Sequence, residues 1–432
     1  MPSKLTFHIM GFDDKILDRL QQMQPSCVKL LDFPSDTNVD TIRQLCPQTL
    51  IVYRQSAAID SDLTRPPEEY LALPQVQDAM NKLAGRGVVW EGLNEPVINS
   101  AADASKLNAW YKQFANLMHA RGEKVAAFSF STGNPVNLDL VPLLADAGRA
   151  CDYIALHEYF DASTGNSGYA RYRDVIARLP ADARKPILIT ECGTDDGGNN
   201  PDNSNHGWKS YYSDMQYLTQ LKNYDQQLLA DPYVVGATIF QYGAGSPWAT
   251  FEVTSIGKLI ADYVASVGGG AFPLPTSVTL GDGWCPFATR VPTTKFWQGN
   301  QGRRAVVLHI AQGSYEGAIQ YLSDVNLNPD ASAHFVIAKD GRIAQLVSVH
   351  DSAWANGLAW DAPNQRWLNP RGIPVNPSWV DLIPGINPNR YTVSIEHEGF
   401  YTELWTPAMD AANTRLLKWL ATQFNWMYVP HR

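Results

Sequence analysis

Cysteine is scarce in this sequence, and no two cysteines lie near each other. The five cysteines are scattered over 432 residues without a CxxC pair: Cys27, Cys46, Cys151, Cys192 and Cys285. An odd, scattered set provides neither a disulfide framework nor a cysteine zinc site. We therefore predict that these residues are mostly buried thiols.

Long hydrophobic runs and an excess of basic residues are also missing. No apolar run approaches the roughly 20 residues that span a bilayer, which argues against membrane insertion. The opening Met1-Pro2-Ser3-Lys4 leads directly into an alternating strand pattern, so we expect no signal peptide and synthesis in the cytoplasm. The formal net charge of −9 argues against nucleic acid as a partner, because nucleic-acid binding needs clustered lysine and arginine.

The composition is that of a folded protein with more than one domain. Hydrophobic residues make up 45% of the chain, which excludes a largely disordered chain, and 432 residues exceed the usual size of one domain. Glycines and prolines interrupt all periodicity between Val267 and Pro275. We therefore predict a first domain over residues 1–268, a Gly/Pro linker over residues 269–276 and a second domain over residues 277–432.

Short apolar runs alternate with amphipathic segments throughout the first domain. Eight runs predict strands: Leu5–Met10, Cys27–Asp32, Leu50–Arg54, Val88–Glu91, Val125–Phe130, Tyr153–His157, Ile187–Glu191 and Gly236–Tyr242. The segment Ala104–Arg121 predicts a helix with one apolar face. This alternation is typical of an α/β fold, a (β/α)8 TIM barrel. A doubly wound sheet is the competing fold, but Gly11-Phe12-Asp13-Asp14 is not the glycine-rich phosphate loop that often follows its first strand.

The pattern of the second domain predicts a mixed α/β fold. Strands are predicted at Ala305–Ile310, Ala333–Ala338, Ile343–Val347 and Thr392–Glu396, and a long helix at Pro407–Phe424. The proline- and asparagine-rich stretch between Pro363 and Asn389 is predicted to lack regular structure.

Two predicted strands of the first domain end in glutamate. The fourth strand leads into Asn94-Glu95-Pro96, and the seventh ends at Glu191. The active site of a (β/α)8 barrel lies at the C-terminal ends of its strands. Glycoside hydrolysis needs one protonated and one ionised carboxyl group, and strand ends can hold both rigidly. Glu95 and Glu191 therefore predict a glycosidase site.

With these motifs the whole first domain resembles the clan A retaining glycoside hydrolases, which carry Asn-Glu after the fourth strand and Glu after the seventh. The resemblance implies that Glu95 is the general acid/base and Glu191 the nucleophile, and that Asn94 binds the sugar 2-position. It also implies substrate contacts for four residues at the ends of the sixth and eighth strands: His157, Tyr159, Tyr242 and Trp248.

Several of these residues have a second interpretation. The residues alone leave open that His157 is a packed core histidine and that Trp248 only packs within its loop. Glu91 and Glu158 are supporting or ion-paired carboxylates in this interpretation. The segment from Phe240 to Gly243 lacks the tryptophan that many clan members have there, so the substrate stays open.

In the second domain, His309 ends an apolar strand, and small residues then lead into a helix. A zinc ligand is often presented this way. An Asp-Gly hairpin at Asp340, the segment Ala353–Gly357 and the strand ending in Glu396 follow in order. This order resembles the N-acetylmuramoyl-L-alanine amidase family shared with peptidoglycan recognition proteins, over about residues 300–432. The resemblance implies zinc as cofactor, His309 as its first ligand and Glu396 as the acidic catalytic residue.

The remaining ligands of that family are not evident here. Members supply a second histidine in a Gly-His pair, then an aspartate or cysteine, after the long helix. This chain stops at Pro430-His431-Arg432, and no glycine precedes His431. We therefore expect the C-terminal end of the domain to be missing, and zinc binding to depend on the missing ligands. We predict that His334 is a packed, hydrogen-bonded histidine.

Together, the two resemblances predict a bifunctional cell-wall hydrolase of the phage-lysin type. A retaining glycosidase and a zinc-dependent amidase would cut peptidoglycan, or a related polysaccharide, after release from the cytoplasm. The alternative is a polysaccharide glycosidase anchored by a zinc-free peptidoglycan-binding module.

Overall fold

A computed structural model describes residues 2–32, 36–162, 165, 168–197, 206–245, 247–268, 281–375, 382–383 and 385–424. The chain divides into two compact units, Met1–Thr279 and Leu280–Arg432. The predicted linker over residues 269–276 lies outside the described residues, as does His431. All five cysteines are buried free thiols, as predicted.

The first unit is a closed barrel of eight parallel strands that pair in sequence order, with β8 closing onto β1. The strands β1–β8 span Leu5–Ile9, Cys27–Leu31, Leu50–Arg54, Val89–Glu91, Lys124–Phe130, Tyr153–Asp161, Ile187–Asp195 and Val234–Tyr242. Each overlaps one of the predicted apolar runs. The predicted (β/α)8 barrel is confirmed.

Helices follow the strands around the barrel. In the described part of this unit, α1–α9 span Ile16–Met23, Asp36–Leu45, Pro67–Leu71, Pro74–Leu83, Ala101–His119, Ala145–Ala150, Arg171–Arg178, Asp214–Leu229 and Gly257–Ser266. The longest of them, α5, begins three residues before the predicted start, because the Ser100 side chain caps it by accepting from the Asp103 N–H. Its buried face contains Trp110 and Phe114, whose rings stack 4.9 Å apart.

The barrel interior changes from apolar to polar along the strands. Buried apolar residues from β2 to β8 form one cluster, which includes Cys27, Val52 and Val89. Side chains two positions apart on a strand point to the same face. The next interior positions on these strands are therefore Lys29, Arg54 and Glu91, which place charged groups directly above the apolar cluster.

The second unit is built on a five-stranded sheet in the order β11-β18-β12-β13-β9. Among the described residues, β9–β18 span Thr289–Arg290, Phe296–Trp297, Ala305–Ile310, Phe335–Ile337, Ile343–Gln345, Ser352–Ala353, Ala359–Asp361, Arg366–Leu368, Pro374–Val375 and Thr392–His397. The helices α10 and α11 span Tyr315–Ser323 and Pro407–Phe424. Strand β18 is parallel to both β11 and β12, and β12 is antiparallel to β13. The predicted mixed α/β fold is confirmed.

The core of the second unit lies between the sheet and α11. Leu416 and Leu420 of α11 pack with Phe335 of β12 and Ile395 of β18, and all four side chains are buried. The helix matches its predicted bounds because one face of its sequence is apolar. Every helix in the described ranges is too short or too polar to cross a bilayer.

The stretch from Pro363 to Asn389 differs from its prediction. Two strands form there, β16 and β17, and with β15 they make an antiparallel sheet. Trp360 and Trp367 are cross-strand partners with ring centroids 5.0 Å apart. Such aromatic pairs stabilise antiparallel strands. The prediction that the whole stretch lacks regular structure was wrong. Its many proline and asparagine residues indicated loops, but the contact between the two tryptophans stabilises strands there.

Candidate active site

Glu191, on β7, lies among polar side chains inside the barrel. Lys29 Nζ is 3.2 Å from Glu191 Oε1, and the Tyr159 hydroxyl donates to Glu191 Oε2 at 3.1 Å. His8 Nδ1 and Arg54 Nη2 lie 3.9 and 4.0 Å from Oε1. Because the Glu191 side chain is only 10% exposed, these contacts replace most of its hydration.

The groups around Glu191 favour its ionised form. Burial by itself raises the pKa of this carboxyl group, but the nearby His157, Lys29, His8 and Arg54 together lower it by more. The pKa of Glu191 therefore lies well below its usual range. An ionised carboxylate is the state that a nucleophile requires.

Glu95 follows β4 and is held in an uncommon backbone conformation. Its φ is 48°, and its N–H donates to the Ser129 carbonyl at 3.1 Å. A left-handed conformation at a residue other than glycine is costly, so the surrounding structure must impose it. The Glu95 side chain is 39% exposed, which leaves its carboxyl group accessible from solvent.

His157, on β6, joins the two glutamates. Its Nδ1 lies 2.8 Å from Glu95 Oε1 and 3.6 Å from Glu191 Oε2. One side-chain atom from each of the three residues lies within 4.8 Å of the other two. Lys29 and Arg54 already balance the negative charge on Glu191, so this arrangement suits acid–base chemistry better than it suits a divalent cation.

Three other predicted residues lie at this end of the barrel. The side-chain oxygen of Asn94 is buried without a hydrogen-bond partner, which leaves it free to accept from a ligand. The ring of Tyr159 packs edge-on against Phe240 at 6.4 Å, and Trp248 packs against the same Phe240 at 5.4 Å. Trp248 is therefore linked to Glu191 through two aromatic rings and the Tyr159 hydroxyl.

Tyr242 lies apart from these residues. Its side chain is fully buried, and its ring packs against Phe7 at 5.1 Å. The Tyr242 hydroxyl is paired with Asp13 at 2.9 Å and also with Arg19. Its polar group is thus already satisfied by the protein, and the structure does not support the substrate contact predicted for Tyr242.

Lys29, Arg54 and His8 are absent from the predicted site. A charged residue inside a short apolar strand is the pattern that could have identified the first two, in Cys27–Leu31 and Leu50–Arg54. The sequence does not say which face of a strand points into the barrel. Only the closed sheet shows that these three side chains meet at Glu191.

Glu158, next to His157 in sequence, supports the barrel wall. Its carboxylate accepts from the backbone N–H groups of Ala170 and Tyr172, where α7 begins, and from the Tyr224 hydroxyl on α8. The sequence left open whether Glu158 is a supporting or an ion-paired carboxylate, and these contacts fit a supporting role.

The buried Glu158 predicts a pH-dependent stability. Burial raises its pKa to about 7, whereas an unfolded chain has an ordinary carboxyl pKa of about 4.3. The folded state therefore binds an additional proton between these values, and its contribution to stability, complete below about pH 4, is lost as pH rises through about 7. We expect Glu158→Gln to flatten the fall in unfolding temperature between about pH 5 and 7. Exposed Glu69→Gln is the control, and equal slopes in the two variants would contradict the prediction.

In the second unit, His309 on β11 and Glu396 on β18 are partners in adjacent parallel strands. Paired residues in such strands present their side chains to the same face. The His309 Nε2 atom and the side-chain oxygen of Asn356 are both buried, and the Asn356 side chain interacts with the His309 ring. Burial lowers the pKa of His309 and raises that of Glu396 to about 7. An imidazole with a lowered pKa and a carboxyl group with a raised pKa thus lie on one face of the sheet.

Two other histidines of this unit are structural. The His334 ring nitrogens lie 3.1 Å from Ser394 Oγ and 3.0 Å from the Asp351 carbonyl. This is the packed, hydrogen-bonded state that we predict for His334. His397 binds the His309 carbonyl, and its ring stacks on Trp405 at 4.1 Å.

The second unit has a pocket of about 340 Å³, lined by Trp297, Asp330, Trp354, Gly357, Leu358, Asn387 and Asn389. The Asn389 side chain accepts from the backbone N–H groups of Ala355 and Asn356. Asn389 thereby connects the pocket wall to Asn356, whose side chain is paired with Thr392 at the start of β18.

Comparison with known families finds a match within the second unit. Residues 298–432 match the N-acetylmuramoyl-L-alanine amidase family. This match confirms the predicted resemblance for the second unit and bears out the prediction of a hydrolase. No curated protein matches the chain.

Solved structures are similar to each part of the chain. A selenomethionine derivative of AmpD is 22% identical, with a TM-score of 0.25, over 34% of this chain and 81% of its own. The amidase LysC from Clostridium intestinale is 18% identical, with a TM-score of 0.21, over 33% of this chain and 78% of its own. A β-glucuronidase from Ruminococcus gnavus is 14% identical, with a TM-score of 0.40, over 61% of this chain and 49% of its own. The chain thus spans about half the length of that glucuronidase.

The amidase family implies zinc, and His309 fits one ligand position. Its buried Nε2 is the kind of ring nitrogen that binds zinc. Among the described residues, however, the one group of three metal-ligating side chains within reach of each other is Glu95, His157 and Glu191, in the barrel. The described part of the second unit therefore does not supply a complete zinc site.

Proposed function

We propose that the first unit is a retaining glycoside hydrolase, with Glu191 as nucleophile and Glu95 as general acid/base. One observation carries this proposal: an oxygen of Glu95 and an oxygen of Glu191 lie within 4.8 Å of each other. Retaining enzymes hold these carboxyl groups about 5–5.5 Å apart, whereas inverting enzymes leave about 6.5–9.5 Å for a water molecule. The short distance supports direct attack by Glu191.

The two carboxyl groups exchange roles during the reaction. Glu191 attacks the anomeric carbon while Glu95 gives its proton to the glycosidic oxygen, and the bond to the leaving group breaks. Glu95 then takes a proton from water as the water oxygen attacks the anomeric carbon, and Glu191 leaves as a carboxylate. His157 Nδ1 keeps the Glu95 carboxyl group in place, at 2.8 Å. Asn94 accepts from a sugar hydroxyl with its unpartnered oxygen.

This mechanism predicts retention of anomeric configuration. The sugar released first should have the configuration of the cleaved linkage, because two displacements at one carbon restore it. Anomeric proton resonances recorded during the first minutes of hydrolysis of soluble peptidoglycan fragments would show the product before mutarotation. Glu191→Gln serves as the inactive control. The opposite anomer as first product would show an inverting enzyme and remove the nucleophile role from Glu191.

For the second unit we infer an N-acetylmuramoyl-L-alanine amidase activity. The family match and the pairing of His309 with Glu396 on one sheet face support it. With its pKa of about 7, Glu396 can hold a proton at neutral pH and pass it to the departing amide nitrogen. Zinc, when bound, would polarise the amide carbonyl group. His309 would be one ligand, and the others would come from outside the described residues.

A second candidate for this unit is a zinc-free peptidoglycan-binding module that anchors a polysaccharide glycosidase. Among the described residues of this unit, no group of three metal-ligating side chains lies within reach of one ion, which favours this candidate. Release of amines from stem peptides distinguishes an amidase from a binding module.

Both units are proposed to act on one polymer, peptidoglycan. Attachment of one unit to the wall raises the local concentration of the other, so linked activities cut the polymer more efficiently than separate ones. The two activities would make this protein a bifunctional lysin.

A further inference from the structure

Lys29 lies between two buried carboxylates beneath the candidate glycosidase site. Its Nζ atom is 2.9 Å from Glu91 Oε2 and 3.2 Å from Glu191 Oε1. The side chains of Lys29 and Glu91 are both completely buried. Lys29 is therefore shared between the nucleophile and a second carboxylate that no substrate reaches.

Glu91 in turn connects Lys29 to Glu95, the other proposed catalytic glutamate. Its Oε1 accepts from the Ser129 hydroxyl at 2.7 Å. The carbonyl of the same Ser129 accepts from the Glu95 N–H at 3.1 Å. Ser129 and Glu95 both have left-handed backbones, with φ of 44° and 48°. The contact between them holds two strained residues in place at the point where Glu95 turns toward the site.

Packing alone does not explain a charged pair at this position. Taking two charges out of water is costly, and apolar residues of similar size often stabilise a core at least as well. The neighbouring interior residues Cys27 and Val89, one layer below, are apolar. Strained backbone and buried charge gather where function requires a defined geometry.

We propose that the buried Lys29–Glu91 pair is a positioning unit that couples the two catalytic glutamates, Lys29 orienting Glu191 and Glu91 holding Glu95 through Ser129. The proposal rests on the glycosidase function proposed for the first unit. Lys29 keeps the nucleophile ionised and aimed at the anomeric carbon. Glu91, which touches no substrate, fixes the backbone that presents the general acid/base.

Other titratable groups also face Glu191, so removal of Lys29 lowers its electrostatic support without abolishing it. These groups come from β1, β3, β4 with its following turn, and β6: His8, Arg54, Glu91, Glu95, His157 and Tyr159. An opposite charge within a few ångströms shifts a carboxyl pKa by about one to three units.

The test uses the full chain and soluble peptidoglycan fragments, with reducing ends measured against pH. The double variant Lys29→Met/Glu91→Gln removes both charges of the pair, so no unpaired charge stays buried. We expect kcat/KM to fall about 10²-fold because the nucleophile loses its alignment. We also expect the acidic limb of the profile to move upward by about one pH unit. Ser129→Ala removes only the hydroxyl group that connects Glu91 to the backbone of Glu95. We therefore expect kcat to fall while the acidic limb of the pH profile stays at the wild-type pH.

Lys4→Met is the matched control, since Lys4 is also buried but precedes β1 at the opposite end of the barrel. The Lys4→Met variant should leave the acidic limb of the pH profile at the wild-type pH. A folded double variant with the wild-type limb and rate would overturn the proposal while leaving the glycosidase function intact. A wild-type protein that releases no reducing ends would instead overturn the proposed action of the first unit on peptidoglycan.

A second readout does not depend on turnover. In protein labelled with 13C at the glutamate carboxyl carbons, Glu191→Gln identifies the Glu191 resonance. A titration midpoint that rises in the double variant, but not in Lys4→Met, supports the electrostatic coupling of Lys29 to Glu191. An unchanged midpoint overturns it, whatever the activity.

Discussion

Replacement of Glu191 by glutamine should abolish the release of reducing ends from peptidoglycan, with a loss of about 10⁴-fold or more. Glutamine keeps the size of the side chain but cannot form the covalent sugar intermediate. The contacts from Lys29 and Tyr159 that hold the carboxylate would have no negative charge to stabilise. The measurement is the initial rate of reducing-end formation by wild type and variant at equal concentration.

Glu158→Gln is the matched control for this experiment. It makes the same chemical change at a buried glutamate on the neighbouring strand, but the Glu158 carboxylate faces α7 and α8. Activity near that of wild type in this control, with loss in Glu191→Gln, would tie the loss to the site. Undiminished activity in folded Glu191→Gln would refute the nucleophile role.

Replacement of Glu396 by glutamine should stop the release of amines from stem peptides, by about 10²–10⁴-fold, while reducing ends continue to form. Glutamine cannot take up and release a proton, as a carboxyl group with a pKa of about 7 can at neutral pH. The two products are measured separately, with zinc added. Glu191→Gln should show the converse result, with amines released and reducing ends absent.

Glu398→Gln is the control for the second site. Glu398 follows β18 two residues after Glu396, and its carboxylate accepts from the Lys339 N–H, which a glutamine oxygen can also do. Amine release should therefore persist in Glu398→Gln. If wild type releases no amines with zinc present, the second unit is a peptidoglycan-binding module. If Glu396→Gln releases them at the wild-type rate, another residue is the catalytic acid.

The sequence predicted the barrel strands well because parallel strands buried on both faces leave continuous apolar runs. Leu50–Arg54 matches its predicted bounds, and the other runs shift or extend by a few residues. The small sheet of β15–β17 was missed, since its strands are two or three residues long and depend on a pair of tryptophans that meet only across the strands.

The candidate site was only partly predictable for a related reason. Glu95 follows one predicted apolar run and Glu191 ends another, so their position along the chain already indicates the mouth of the barrel. Tyr242 also ends its strand, yet its hydroxyl is paired with Asp13 and Arg19. Position at a strand end does not determine which way a side chain points.

The sequence by itself determined the elements of this protein: a barrel with two strand-end glutamates, and a second α/β unit in which a histidine and a glutamate each lie at the end of a strand. Strand periodicity and residue chemistry are local properties, and a sequence displays them directly. Only the tertiary structure decided that Lys29, Arg54 and His8 surround Glu191, and that a buried ion pair connects it to Glu95. Those contacts join residues far apart in the chain, and the closure of the barrel alone brings them together.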